Sequence, residues 1–192
     1  MGKLSNRLFY SVVACLMVAL LFFVAASSEF NRQIEVEKRS LSDSMNVLAA
    51  DLSGIVNSYI FYGYGVRAYI HENPNYEFDE MTNLIANLVM KDDKLLRNFS
   101  LLKDTTIVFA YPLEANKAAL GKDLSKIEGQ KDTVLRVKET GNTFITGPVN
   151  LVQGGQGVII RMAVNLQQGS TKQYWGQVSS VLAYDELGKR IK

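Results

Sequence analysis

The first apolar block of the chain, residues 8–28, carries no charged side chain, with Lys3 and Arg7 before it and Glu29 after it. A bilayer core takes roughly 20 consecutive apolar residues as a helix, so the block predicts a transmembrane span. The basic flank holds residues 1–7 in the cytoplasm and sends everything after Glu29 outward. Val24, Ala25, Ala26 and Ser27 also offer a signal-peptidase site, which leaves a cleaved secretory signal as the alternative. In either case the bulk of the chain is extracytoplasmic. As an uncleaved anchor, the block places the chain in the inner (cytoplasmic) membrane as a single-pass protein.

Over residues 30–70 the apolar positions keep helical spacing. Leu41, Leu48, Ile55, Tyr62 and Tyr69 recur every seven residues, and Met45, Leu52, Tyr59 and Val66 fill the complementary positions. The pattern predicts one long amphipathic helix over 29–71, charged at its start and aromatic at its end. Such a seam pairs two copies into a homodimer or buries the helix on its own domain. Gly63 and Gly65 predict a close contact or a kink, and Pro74 ends the element.

Beyond it, residues 77–96 read as a second helix and 105–111 as a short strand stopped by Pro112. Residues 116–120 suit one helical turn, and 130–139 a helix closing at Thr140-Gly141. Strands over 143–149, 157–164 and 174–184, with glycine-rich turns at 154–157 and 168–170, form an antiparallel meander. This is an α+β order: a transmembrane helix, a stalk helix, then a PAS-like antiparallel sheet module with flanking helices over 72–192. No internal repeat or low-complexity segment interrupts it.

Charge sharpens the picture. The chain has 21 Lys plus Arg against 19 Asp plus Glu, and without Lys3 and Arg7 the balance is 19 against 19. A neutral exported part lacks the footprint of a nucleic-acid binder. The one cysteine, Cys15, lies in the apolar block, so the exported part forms no disulfide.

The chemistry-bearing residues are few. One histidine, His71, supplies neither a catalytic triad nor a metal cluster, and the acids are spaced like solvated helix faces. The sequence therefore calls for no metal, no cofactor and no catalysis. Gly154, Gly155 and Gly157 precede a strand rather than a helix, which suits a hairpin turn better than a phosphate cradle. Asn98-Phe99-Ser100 matches a glycosylation acceptor by coincidence. Strand alternation puts Arg161 beside Ile159 and Ala163, opposite Ile160 and Met162, where it meets either an anionic ligand or a structural carboxylate. Asp123, after Gly121-Lys122, is either a cap or a polar group aimed into a pocket.

Several ordered motifs resemble the CHASE domain: NFSLL at 98–102, FAYPLEANKAALGKDL at 109–124, ETG at 139–141, GPVNLVQGGQG at 147–157 and YWGQVSSVL at 174–182. The resemblance runs over about residues 40–187. That family is the extracytoplasmic sensory part of bacterial membrane histidine kinases and diguanylate cyclases and of plant cytokinin receptors. It implies a stalk helix carrying two PAS-like modules between two membrane helices, with the small-molecule pocket in the membrane-distal module. Against that plan the sequence supplies the distal module and no proximal module, second span or output domain. In the cytokinin-binding branch an aspartate before the ETG motif contacts ligand, and by spacing Asp123 matches it, while the backbone near Ile145 falls in the pocket wall. The turn at 154–157 departs from the receptors, which argues against cytokinin itself.

The expected function is a membrane-anchored sensor that binds a small molecule or peptide in a pocket over the sheet. Its lining would include Phe109, Tyr111, Asp123, Ile145, Gly147 and Arg161. The alternative is a non-sensing dimerisation module that docks a partner membrane protein.

Overall fold

A single helix, α1 (Gly2–Glu72), takes up both the apolar block and the heptad-patterned segment after it. The computed structural model describes residues 2–89, 93–151, 154–168 and 170–191. The chain divides into two units, Met1–Ala50 and Asp51–Lys192. In the first unit α1 has no packing partner among the described residues, and Leu16 through Val24, Leu41 and Met45 are exposed. By length and composition this is the one described helix apolar enough to cross a membrane.

In the second unit α1 becomes part of a core. Tyr59, Val66 and Ile70 are buried, and Gly63 faces Met162 so closely that a Cβ there would lie 2.7 Å from the methionine methyl. Gly63 thus marks a close contact, one of the two outcomes predicted there, while a Cβ at Gly65 would meet Leu88 at an ordinary 3.7 Å. Helix α2 (Phe78–Leu88) follows and buries Met81 and Ile85.

The sheet is antiparallel, five-stranded and ordered β2-β1-β5-β4-β3. Its strands are β1 (Leu96–Lys103), β2 (Thr106–Tyr111), β3 (Phe144–Asn150), β4 (Gln156–Gln168) and β5 (Thr171–Ala183). Strand β1 corrects the reading of 77–96 as one helix. That helix stops at Leu88, and the stretch from Leu96 to Lys103, most of it assigned to no element by the sequence, is a strand near the sheet's centre, buried on both faces from Phe99 to Leu102. A strand covered on both faces loses the period of two that identifies an exposed one. Of the two glycine-rich turns, 154–157 joins β3 to β4 as expected, and 168–170 falls partly outside the described residues, at 169.

Between β2 and β3 lies the layer that covers the second face. Helix α3 (Leu113–Asn116) leads into short 3-10 turns at Lys117–Ala119 and Leu124–Lys126, then helix α4 (Lys131–Thr140). Gly141, at φ 70°, closes α4 with its amide on the Val137 carbonyl at 2.9 Å, the left-handed end that glycine adopts without strain. Helix α5 (Tyr184–Arg190) follows β5 directly and buries Leu187.

Candidate ligand-binding site

The two faces of the sheet differ in chemistry. On the face toward α1 and α2, Phe99, Leu101, Phe109, Met162, Val164 and Val178 meet Val66, Ile70, Met81 and Ile85. Ile160 and Leu182 meet Tyr59, Leu95 and Leu187. This face is a conventional apolar core.

The opposite face is mixed. Leu102 and Ile107 pack with Ala119, Leu124 and Val134, and Ile159 and Val181 pack with Leu151. The same layer buries Asn98, Ser100, Asn116, Gln130, Arg161, Gln177 and Ser179. Register explains how three strands contribute to one polar patch: Ser100 pairs with Ser179, Ser179 with Arg161, and Arg161 with Phe144. Directly opposed residues in antiparallel strands share a face, so these side chains form one row across β1, β5, β4 and β3.

Most of this set is hydrogen-bonded. Asn98 Nδ2 donates to Asn116 Oδ1 at 3.2 Å, Ser100 Oγ donates to Asn98 Oδ1 at 3.1 Å, and Asn116 Nδ2 donates to the Pro112 carbonyl at 2.8 Å. Gln177 Nε2 donates to the Val134 carbonyl at 2.7 Å, tying β5 to α4. Gln130, just ahead of α4, accepts from Arg161 Nη2 and donates to the Asn150 carbonyl at 3.4 Å. Gln177 Oε1 has no partner among the described residues, and Arg161 is the largest exception. It is 2% exposed, and its Nε and Nη1 find no hydrogen-bond partner among the described residues. Burial pulls its guanidinium down to about 10 from 12.5.

The structure does not bring the sequence-derived residues to one place. Arg161 lies on the polar face, beside Ile159 and Ala163 as alternation requires. Phe109 and Tyr111 lie on the other face in the α1–α2 core, where the Phe109 ring sits 4.7 Å from that of Phe78. Ile145 pairs with Ile160, which puts it on the helix side of edge strand β3, 53% exposed. Gly147 lies in the same edge strand, where a Cβ would fall 2.9 Å from the Val158 Cα. Asp123 caps the 3-10 turn at Leu124–Lys126. Its Oδ1 accepts from Ser125 N at 3.0 Å, Ser125 Oγ at 2.7 Å and Thr105 Oγ1 at 2.7 Å. Hydrogen bonds from Ser125 and Thr105 hold its carboxyl well below the usual carboxylate range. The cap is thus the arrangement observed, with Oδ1 taken by these donors and Oδ2 facing Lys126 Nζ at 3.3 Å.

The residues missed by sequence reasoning are Asn98, Ser100, Asn116, Gln130, Gln177 and Ser179. Alternation along 174–184 already put Gln177 and Ser179 on one face, but only the register shows that they share it with Arg161. A concavity of about 340 Å³ between α1 and β4 is lined by Arg67, His71, Ala163, Asn165 and Lys172 among others, and includes none of this set. Another, of about 620 Å³, follows one surface of α1 from Glu29 to Ser44 and touches none of these residues.

Over residues 66–192 the chain matches the CHASE domain. A comparison with curated proteins gives no match. Among solved structures, it resembles an extracellular ligand binding receptor from Desulfohalobium retbaense with TM-score 0.63 and 18% identity, covering 77% of this chain and 26% of that one. It also resembles the ligand-binding domain of the Pseudomonas aeruginosa amino acid chemoreceptor PctB, solved in complex with L-Gln, with TM-score 0.53 and 15% identity over 78% of this chain and 57% of that one. The chain therefore spans about a quarter of the first and just over half of the second, and at such identities the likeness is one of fold. The family match covers most of the chain, including every strand of the sheet, and on it the chain belongs to the CHASE domain family of extracytoplasmic sensory modules.

Proposed function

We propose that this chain is the ligand-facing part of a membrane-anchored extracytoplasmic sensor. In this reading residues 1–7 are cytoplasmic, 8–28 span the inner membrane once, 29–71 form a stalk that pairs two copies, and 72–192 bind a small molecule. The ligand is taken up on the sheet face beneath α3 and α4, and binding acts without catalysis. One observation carries the reading: a patch of buried polar side chains from three central strands converges there with Asn116 and Gln130 of the covering layer. Small-molecule sites are largely apolar with a few convergent polar groups. The amino acid complex of the PctB domain, a relative in fold, supports a small ligand over a protein partner.

A ligand shifts a signalling equilibrium only through its different affinity for the two states. The test is thermal unfolding of the full chain in detergent against a metabolite library. A true ligand at 100 times its Kd adds about 2.7 kcal/mol, a rise of about 5–10 °C for a chain of this size. If no compound shifts the midpoint, the sensor reading falls. The exposed apolar row of Leu41 and Met45 on α1 then favours a dimerisation module instead.

A further inference from the structure

We propose that the ligand is an organic anion, a carboxylate on an apolar body, and that Arg161 receives it with Gln130 as the group it displaces; this rests on the small-molecule reading above. A guanidinium remains charged at any pH the fold survives. An unpaired buried ion is costly, so native proteins pair buried charges or give them full hydrogen bonding. Arg161 has neither. Its one acceptor is the neutral Gln130 amide, while Nε and Nη1 have none. No ion pair among the described residues involves it, and the buried polar set holds no carboxylate. Among the described residues nothing fills that role, which leaves Nε and Nη1 open to a negatively charged acceptor from outside the chain.

The geometry of the guanidinium narrows the choice. Nε with Nη2 forms one two-donor fork and Nη1 with Nη2 the other, each matched to the two oxygens of a carboxylate. Gln130 takes one of the two hydrogens of Nη2, the nitrogen common to both forks. A carboxylate seated on the fork that uses that hydrogen displaces the Gln130 oxygen, while Ser179, next in the row, lies one strand away. Gln130 immediately precedes α4 and also holds the Asn150 carbonyl, so its release frees the start of α4 from β4 and β3. The apolar neighbours Ile159, Val181 and Val134 suit an apolar body. An ammonium group would find no buried carboxylate, so acids lacking an α-amino group bind better than the corresponding amino acids.

The experiment uses the full chain in detergent and a library of organic acids. Each acid is matched with its primary amide and, where one exists, its α-amino derivative. Midpoint shifts identify responders, and calorimetry gives their affinities. The expected result is stabilisation by acids, little by the amides, and weaker binding of the amino derivatives. Arg161→Met should weaken acid binding by about 100-fold or more while leaving the unliganded midpoint equal or higher, because the unpaired charge is gone. Gln130→Glu supplies a carboxylate from within, so it should raise the unliganded midpoint and lose the acid response; it carries the test if Arg161→Met fails to fold. Equal responses to acids and amides, or an acid response that survives both substitutions, would overturn the anion proposal and leave the sensor reading intact. Silence from acids, amides and amino acids alike would overturn the anion proposal, and the sensor reading falls with it only if the wider metabolite library is silent too.

Discussion

The Tyr59 hydroxyl donates to the Asp93 carboxylate, which also accepts from Arg190 Nη2 at 3.2 Å and from the Leu95 amide at 3.0 Å. Asp93 is 7% exposed at its side chain. One nearly buried carboxylate therefore joins α1, which enters the module, to α5, which leaves it.

Tyr59→Phe should cost about 1 kcal/mol of stability. Combined with Arg190→Gln, the loss should fall short of the sum of the two single losses, because both partners serve one carboxylate. Urea unfolding of the two single variants and the double variant measures the coupling. Burial and the Asp93 bond push the Tyr59 hydroxyl well above its ordinary value of 10.0. A proton held more tightly in the folded state gives stability that is full below pH 10 and is lost as pH rises beyond it. Tyr59→Phe should flatten that alkaline loss.

Gly176→Ala should be far worse than Gly63→Ala, although both glycines sit in close contacts. A Cβ at Gly176 would lie 1.8 Å from the Leu102 carbonyl oxygen, and backbone in the β1–β5 ladder cannot yield. A loss of more than about 3 kcal/mol is expected. At Gly63 the nearest atom is the end of the flexible Met162 side chain. There a helix-propensity gain of about 1 kcal/mol offsets the repacking, so the change should stay near neutral. Chemical denaturation of both variants makes the comparison.

Asp123→Asn should remove an acid-sensitive part of the stability. The depressed carboxyl contributes stability that is present above its unfolded value of 3.8 and is lost as pH falls through its folded value. The difference in melting temperature between the wild-type chain and Asp123→Asn should therefore be largest near neutrality and shrink below pH 4. A difference that holds constant down to pH 2 would show that the cap's charge is unimportant.

If α1 pairs two copies through its exposed heptad row, single cysteines at Leu41 or Leu48 should cross-link in vesicles, in a Cys15→Ser background. Asp43→Cys, on the opposite side of α1 from the row, should cross-link weakly. Equal yields at all three positions would argue against a defined seam.

How much of this was legible in the sequence depended on the punctuation around a segment. The meander strands are bounded by glycine-rich turns, and although β4 over 159–164 and β5 over 175–182 are buried on both faces, their boundaries fall within a few residues of expectation. Strand β1 was missed because Phe99, Ser100, Leu101 and Leu102 are all buried, and without alternation or a flanking glycine turn nothing marked 97–103 as a strand. Arg161 was placed on its face correctly from Ile159 and Ala163 alone. Its row partner Ser100 could not be, since register is a property of strand pairs rather than of one strand's composition. Phe109 and Tyr111 entered the expected pocket for their aromatic surface, but that surface serves the α1–α2 core.

The junction between β5 and α5 has a mechanical consequence. Strand β5 ends at Ala183 and α5 begins at Tyr184, so nothing slack intervenes. From Ser179 to the first residue of α5 is about 16 Å of extended chain. Strand and helix thus form a shaft without a joint: a displacement of β5 along its own axis would carry α5 with it, against the β1 and β4 ladders on either side and the Asp93 clasp on Arg190. The sensitivity of such a receiver would be set less by how tightly it grips its stimulus than by how firmly that clasp resists.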